Sequence, residues 1–169
     1  MAGWKKRVGA VMVSGLLLLM AGAGVYADTR NVTLKDLDVQ DVVYLPTVSA
    51  QRQLTFTKPD TWNVKSAVVD VTFQHSLVLI PERSWLQVSV NDKVLHKVSL
   101  GPNNAPATNL KVPIPASLLK DFNTLAFTVQ QHYIDRCEDP LDKSLWTQIL
   151  PETKIVFDYA DSLPKMDLA

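Results

Sequence analysis

Alternation of apolar and polar residues at period two constrains this chain more than any other feature. In AVVDVTFQH, residues 67–75, Val69, Val71 and Phe73 fall on one side of an extended chain, and Asp70, Thr72 and Gln74 on the other. In WLQVSVN, Leu86, Val88 and Val90 oppose Gln87 and Ser89. NTLAFTVQQ repeats the scheme with Leu125, Phe127 and Val129, and TKIVFDY does so with Ile155, Phe157 and Tyr159. Each segment reads as a half-buried strand with one face on a core and one in water.

The punctuation between these segments agrees. Asn91-Asp92, between QVSV and KVLHKVSL, predicts a tight hairpin, because both residue types tolerate a positive φ. GPNNAPATN reads as a surface loop. VPIPASLLKDFN predicts the one short helical turn, near residues 115–121, with Pro115 at its start, Leu118 and Leu119 inward and Asn123 near its end. Short strands with turns between them and no alternating long helix predict an all-β antiparallel sandwich. The expected form is a jelly roll of about seven to nine strands.

Residues 1–27 lie outside this pattern. Lys5, Lys6 and Arg7 precede an uncharged apolar run that ends in Val25-Tyr26-Ala27. That is the form of a secretory signal peptide cleaved before Asp28. Residues 8–27 are also just long enough to remain as an uncleaved membrane anchor. On either reading the rest of the chain sits outside the cytoplasm. Residues 28–169 then form a single domain, large enough to bury a core.

Without the three leader cations, the 17 basic residues fall to 14 against 17 acidic ones. No basic stripe remains, so nucleic acid is not an expected partner. Cys137 is the single cysteine. It has no internal disulfide partner and is expected to be a small buried thiol, with an intermolecular thiol as the alternative.

The stretch HYIDRCEDPLDKSLW, residues 132–146, concentrates reactive side chains. Glu138 and Asp139 are adjacent, so on an extended chain they point apart. They do not give the facing carboxylates a glycosidase needs. His132, Cys137, Glu138 and Asp139 do not match a zinc spacing, and His75 and His96 lie on other segments. A Cys137/His132 nucleophile pair has no orienting signature around it. Gly101 is the only glycine past the leader, so no Gly-rich phosphate loop exists there. No catalytic residue, metal ligand or cofactor is expected. The loop reads as structural. Asp139-Pro140 sets a turn, Asp142 or Ser144 caps a short helical turn, and Leu145 and Trp146 plug the sandwich.

The aromatic residues carry the remaining signal. Trp62, Trp85 and Tyr133 are expected at strand ends or in loops, where a flat ring with a polar edge suits the apolar C–H face of a sugar. Plugs of the sandwich ends are the alternative for the tryptophans, Trp85 and Trp146 above all. Leu77-Val78-Leu79-Ile80 is an apolar run in a loop that should be polar. It either tucks under the sandwich or marks a contact surface.

AVVDVTFQHSLVLIPERSWLQVSVNDKVL, VPIPASLLKDFNTLAFTVQQHY and CEDPLDKSLWTQI, in that order, resemble the BcsB family, the periplasmic regulatory subunit of bacterial cellulose synthase. The likeness runs over nearly all of residues 28–169, and Cys137-Glu138-Asp139-Pro140 followed by Leu145-Trp146 is its most specific part. The resemblance implies a first periplasmic domain built as a jelly roll similar to carbohydrate-binding modules. It implies a non-catalytic accessory that guides the nascent β-1,4-glucan beside the inner-membrane catalytic subunit, which polymerises glucose from UDP-glucose. Copies of the chain itself are a further expected partner. A subunit-assembly domain that packs on neighbours without binding sugar is the alternative function. Cyclic di-GMP enters only through the label that family members carry. No site for it is located here, and a periplasmic domain is poorly placed to sense a cytoplasmic nucleotide. Family members continue into further domains and a C-terminal membrane anchor, which this sequence does not include. A truncated frame, a split gene and a free-standing module all fit that expectation.

Overall fold

The computed structural model describes residues 28–161. The leader expected over residues 1–27 lies outside the described residues. The described residues form ten strands: β1 (Asp28–Thr33), β2 (Val43–Pro46), β3 (Ser49–Thr57), β4 (Trp62–His75), β5 (Trp85–Val90), β6 (Lys93–Ser99), β7 (Thr108–Ile114), β8 (Phe122–Gln130), β9 (Trp146–Ile149) and β10 (Lys154–Asp161). They form two antiparallel sheets, one of six strands and one of four.

The registers reduce the ten strands to eight passes of the chain. β10 pairs with residues 62–70 of β4 and β9 with residues 73–75, while β7 pairs with residues 67–73. Because Phe73 pairs with both Thr108 and Ile149, β7 lies on one edge of β4, and β9 and β10 share the other. β1 and β2 then flank β10 and β9 in the same way. Across the first sheet the passes run β7, β4, β9 with β10, then β2 with β1. Across the second they run β6, β5, β8, β3. Apart from the β5–β6 hairpin, successive passes cross between the two four-pass sheets, in the order of a jelly roll. The expected fold class is therefore present, and its predicted strand number fits once the two broken passes are each counted once.

The break between β9 and β10 is filled by a side chain. The Thr72 amide donates to Thr153 Oγ1 at 3.0 Å, and the Thr153 hydroxyl donates to the Thr72 carbonyl at 3.2 Å. The Leu150 amide bonds the same carbonyl at 2.8 Å. The ladder groups of β4 stay satisfied across the gap, as buried backbone requires.

Alternation assigns the core as expected. Val69, Val71, Phe73, Leu86, Val88, Val90, Leu125, Phe127, Val129, Ile155 and Phe157 are essentially inaccessible. The Asn91-Asp92 hairpin is also as predicted, with φ of 49° and 63° at the two residues.

Two local expectations change. The helical turn shrinks to a 3-10 turn, Ala116–Leu118, preceded by Pro115. Leu118 and Leu119 are only partly buried, and Asn123 lies in β8, where its Oδ1 accepts from the Lys120 amide. The expected surface loop after Gly101 is partly interior, with Gly101 and Ala105 buried. Asn104 ties it down, accepting from the Gly101 amide and donating to the Ser99 carbonyl. A Cβ on Gly101 would stand 2.7 Å from Cγ of Pro81, a ring that has no rotamer in which to retreat. Gly101→Ala should therefore destabilise the fold by about 1–3 kcal/mol. Adding Pro81→Ala should restore part of the loss. Urea unfolding midpoints of the single and double variants check both statements.

Candidate functional site

The stretch the sequence singles out leaves the sandwich where β8 ends. Continuing the alternation one step past Val129 puts Gln131 inward, and it is fully buried. Its amide nitrogen donates to the carbonyls of Leu45 and Thr47 at 3.1 and 2.7 Å, and its Oε1 accepts from the Thr147 hydroxyl at 2.7 Å. One side chain thus joins β2, the β2–β3 turn and β9. Sequence reasoning missed Gln131, although the period of β8 carries the signal. It also missed Ser84, buried across the sheet, whose hydroxyl donates to the His132 carbonyl and accepts from the His132 amide.

Beyond Gln131 the chain turns outward and Glu138 folds back over it. Glu138 Oε2 lies 2.7 Å from His132 Nδ1, and its Oε1 accepts from the Tyr133 amide at 2.8 Å. Arg83 braces the same loop, donating to the carbonyls of Ile134 and Asp135. Burial alone would raise the Glu138 carboxyl. The bonds from Tyr133 and His132, with the positive charge of Arg83 near by, outweigh burial and hold it below the ordinary glutamate range. Asp139 Oδ1 accepts from the Leu141 amide and Asp142 Oδ1 from the Ser144 amide. Each acid opens a single turn closed by a backbone bond, Asp142 N–H to the Asp139 carbonyl and Leu145 N–H to the Asp142 carbonyl, so the cap predicted at Asp142 is present on one turn. The two adjacent acids therefore point apart, one onto the loop's own backbone and imidazole, the other onto the following turn. Leu145 is buried, while Trp146 is half-buried at the start of β9.

Cys137 corrects the sequence reading. It is exposed, with φ of 52°. The left-handed backbone that turns Glu138 inward carries the Cys137 side chain to the surface. His75, in contrast, is buried, with Nδ1 2.9 Å from the Ser76 carbonyl and Nε2 3.0 Å from Asn104 Oδ1. Among the described residues, no group of three His, Cys, Asp or Glu is placed to hold a metal ion.

The three aromatics proposed for sugar contact do not form one site. Trp62 opens β4, whereas Trp85 pairs with Gln130 at the far end of the second sheet, where β8 runs out into His132 and Tyr133. A strand of β4's length spans roughly 45 Å, so Trp62 lies at the opposite end of the molecule. It is stacked on Tyr159 at 4.0 Å between ring centroids and packs edge-on to Phe157. It also lines an open cleft of about 470 Å³, together with Arg30, Asp36, Thr55 and Thr57. Trp85 is half-buried, and Lys97 Nζ sits 3.8 Å from its ring centroid. Tyr133 packs partly against the core, where burial, and then the Asp142 carboxylate, push its phenol up. Leu77 and Val78, from the apolar run, are 65% and 55% exposed, whereas Leu79 is buried. The run thus both tucks under the sandwich and presents a surface.

Two predictions follow from this loop. Because the Glu138 pKa is lower folded than unfolded, its stabilisation is complete above the ordinary glutamate value near pH ~4.3 and is lost as pH falls through the folded value. Glu138→Gln should cost roughly 1–3 kcal/mol at neutral pH, and the penalty should shrink in acid. Unfolding curves at pH 7 and pH 3 test this. The exposed Cys137 should be labelled by a thiol reagent in the native protein as fast as after unfolding. Slow labelling would contradict its placement.

The comparisons with known proteins bear on this geometry. Residues 27–161 match the family model described as "Cellulose synthase BcsB, first CBM domain". The "Cyclic di-GMP-binding protein" of Pseudomonas fluorescens (strain SBW25) is 32% identical over 141 residues, which is 82% of this chain and 18% of that protein. Its namesake in Xanthomonas axonopodis pv. citri (strain 306) is 27% identical over 128 residues, 75% of this chain and 16% of that one. In Escherichia coli (strain K12) the figures are 26% over 107 residues, 63% and 14%. The chain thus spans less than a fifth of the length of these curated relatives. With a jelly roll of the expected class and a family match over all of its described residues, the chain belongs to the BcsB family of cellulose synthase subunits, as its first carbohydrate-binding-module domain.

Proposed function

We propose that the chain is a non-catalytic periplasmic accessory module of cellulose synthase that binds or guides the nascent β-1,4-glucan beside the inner-membrane catalytic subunit. The observation that carries this reading is the family match over residues 27–161 to a carbohydrate-binding-module domain. The half-buried Trp62 and Trp85 at the two ends of the sandwich, with Tyr133, supply aromatic surface consistent with it. The carboxylates of Glu138, Asp139 and Asp142 are committed to loop structure, which supports a binding role over a hydrolytic one. Cyclic di-GMP has no part in the proposal, because an exported domain and a cytoplasmic nucleotide lie on opposite sides of the membrane.

Affinity should be low. A neutral polymer offers no ionic handle, and stacking that hides roughly 60 Å² yields about 1.5 kcal/mol per ring before ordering costs. Two such contacts correspond to a Kd in the millimolar range, where 1 mM is about −4 kcal/mol. A guide benefits from that weakness, because a tight site would stall a moving chain.

A second reading is an assembly surface for neighbouring subunits or copies of this chain. Leu77, Val78, Ile134 and Leu141 favour it, since all four are large, apolar and exposed. The first two lie in the β4–β5 connection and the others in the β8–β9 connection, which meet where the Ile80 amide bonds the His132 carbonyl. Cellohexaose titration by NMR at two salt concentrations separates the readings. Millimolar, salt-insensitive shifts support the glucan module. No shift at several millimolar sugar, together with concentration-dependent self-association that Leu77→Ser and Val78→Ser remove, would move the function to assembly.

A further inference from the structure

The two outer faces of the sandwich differ in chemistry. On the six-stranded sheet the outward groups include Asp70, Lys111 and Asp158, and the two acids are engaged by neighbouring side chains. Ser66 and Thr29 both donate to Asp158, Asn109 donates to Asp70, and Gln74 donates to Gln148. The outer face of β3, β8, β5 and β6 is built otherwise. Inward Leu54, Leu125 and Val88 leave Gln51, Thr128 and Gln87 pointing out, and the register sets these three side by side across three strands, with Lys97 next in line. Gln130 and Trp85 pair in the adjacent row. Among the described residues, the side chains of Gln51, Thr128 and Gln87 have no hydrogen-bond partner within the protein. This row carries uncharged donors and acceptors, and Lys97 at its end is its single charge.

Neighbouring strands lie ~4.8 Å apart, close to the length of one glucosyl residue, so the row presents a polar side chain about once per sugar. An indole in the next row supplies the apolar platform that a pyranose C–H face stacks on. In the free protein Lys97 Nζ occupies that ring face, 3.8 Å from its centroid. Its flexible four-carbon stem lets it swing away. Trp62 is less suited, because Tyr159 stacks on one of its faces and Phe157 meets it edge-on.

We infer that the outer face of the β3-β8-β5-β6 sheet is the glucan-binding surface, a strip for an extended neutral β-1,4-glucan lying across the strands. Gln51, Thr128 and Gln87 bind its hydroxyls, Trp85 stacks one ring, and Lys97 is a displaceable cover on that stack. The inference rests on the glucan reading above and assigns it a place.

The test is titration of the full chain with cellohexaose, following the indole N–H signals by NMR. The Trp85 indole should shift most. Trp85→Ala should weaken binding at least tenfold and Gln87→Ala several-fold. Lys97→Ala, which uncovers the ring, should strengthen binding two- to fivefold. Gln87→Ala removes no core packing, so it reports on the face even if Trp85→Ala disturbs the fold. If Trp85→Ala and Gln87→Ala bind like the unaltered chain while Trp62→Ala does not, the strip is wrong and the glucan reading stands, relocated to the Trp62 cleft. Weakened binding by Lys97→Ala would overturn its role as a cover. Absence of binding by the unaltered chain would overturn the strip and the glucan reading together.

Discussion

Burial of one side of β4 against the second sheet is the contact on which the rest of the structure depends. Ala67, Val69, Val71, Phe73 and His75 form an unbroken inward stripe, and none is more than 2% exposed. Each large apolar member contributes roughly 1.5–3 kcal/mol when removed from water. A slip of one residue would turn the whole stripe outward, so the register is strongly specified. β4 also holds ladder partners on both edges, with β7 on one and β9 and β10 on the other. The Thr153 side chain, by bridging the gap between β9 and β10, lets a single long strand organise a sheet whose other passes are interrupted.

Polar ties then close the ends. Where these strands leave the sheets, the backbone must find new partners, and buried or half-buried side chains supply them. Gln131 holds the β2–β3 turn, Asn104 holds the loop after β6, and Ser84 with Glu138 holds the start of the β8–β9 connection. This explains why the most specific motif of the chain can be rich in acids without forming an active site. In Cys137-Glu138-Asp139-Pro140, the left-handed Cys137 is a hinge, Glu138 an inward brace and Asp139 an outward cap. The chemistry that looked reactive in one dimension is consumed by loop geometry in three.

The functional reading turns on the contrast between outer faces. A charged face whose acids are already bonded to neighbouring side chains has little to offer a neutral polymer. A row of uncharged side chains with open bonding capacity, beside an indole, does. Both faces arise from the same period-two pattern, and the difference lies in which outward residues the registers place together.

Much of the fold was legible in the sequence. Alternation identified the inward residues of β4, β5, β8 and β10, and the two positive-φ-tolerant residues Asn91 and Asp92 set their hairpin, because these depend on neighbours one or two positions away. The family resemblance was legible for the same reason, in contiguous motifs. Tertiary structure alone decided the pairing of β3 with β8 and of β1 with β10, since antiparallel partners can be more than a hundred residues apart. It alone set Tyr159 on the face of Trp62, laid Lys97 over Trp85 across a hairpin, and aligned Gln51, Thr128 and Gln87 from three separate strands. It also turned Cys137 out, against the tendency of a free thiol to be buried, because Glu138 had to turn in. Period fixes which face a side chain joins, whereas only long-range register fixes its neighbours there, and a binding surface is made of neighbours.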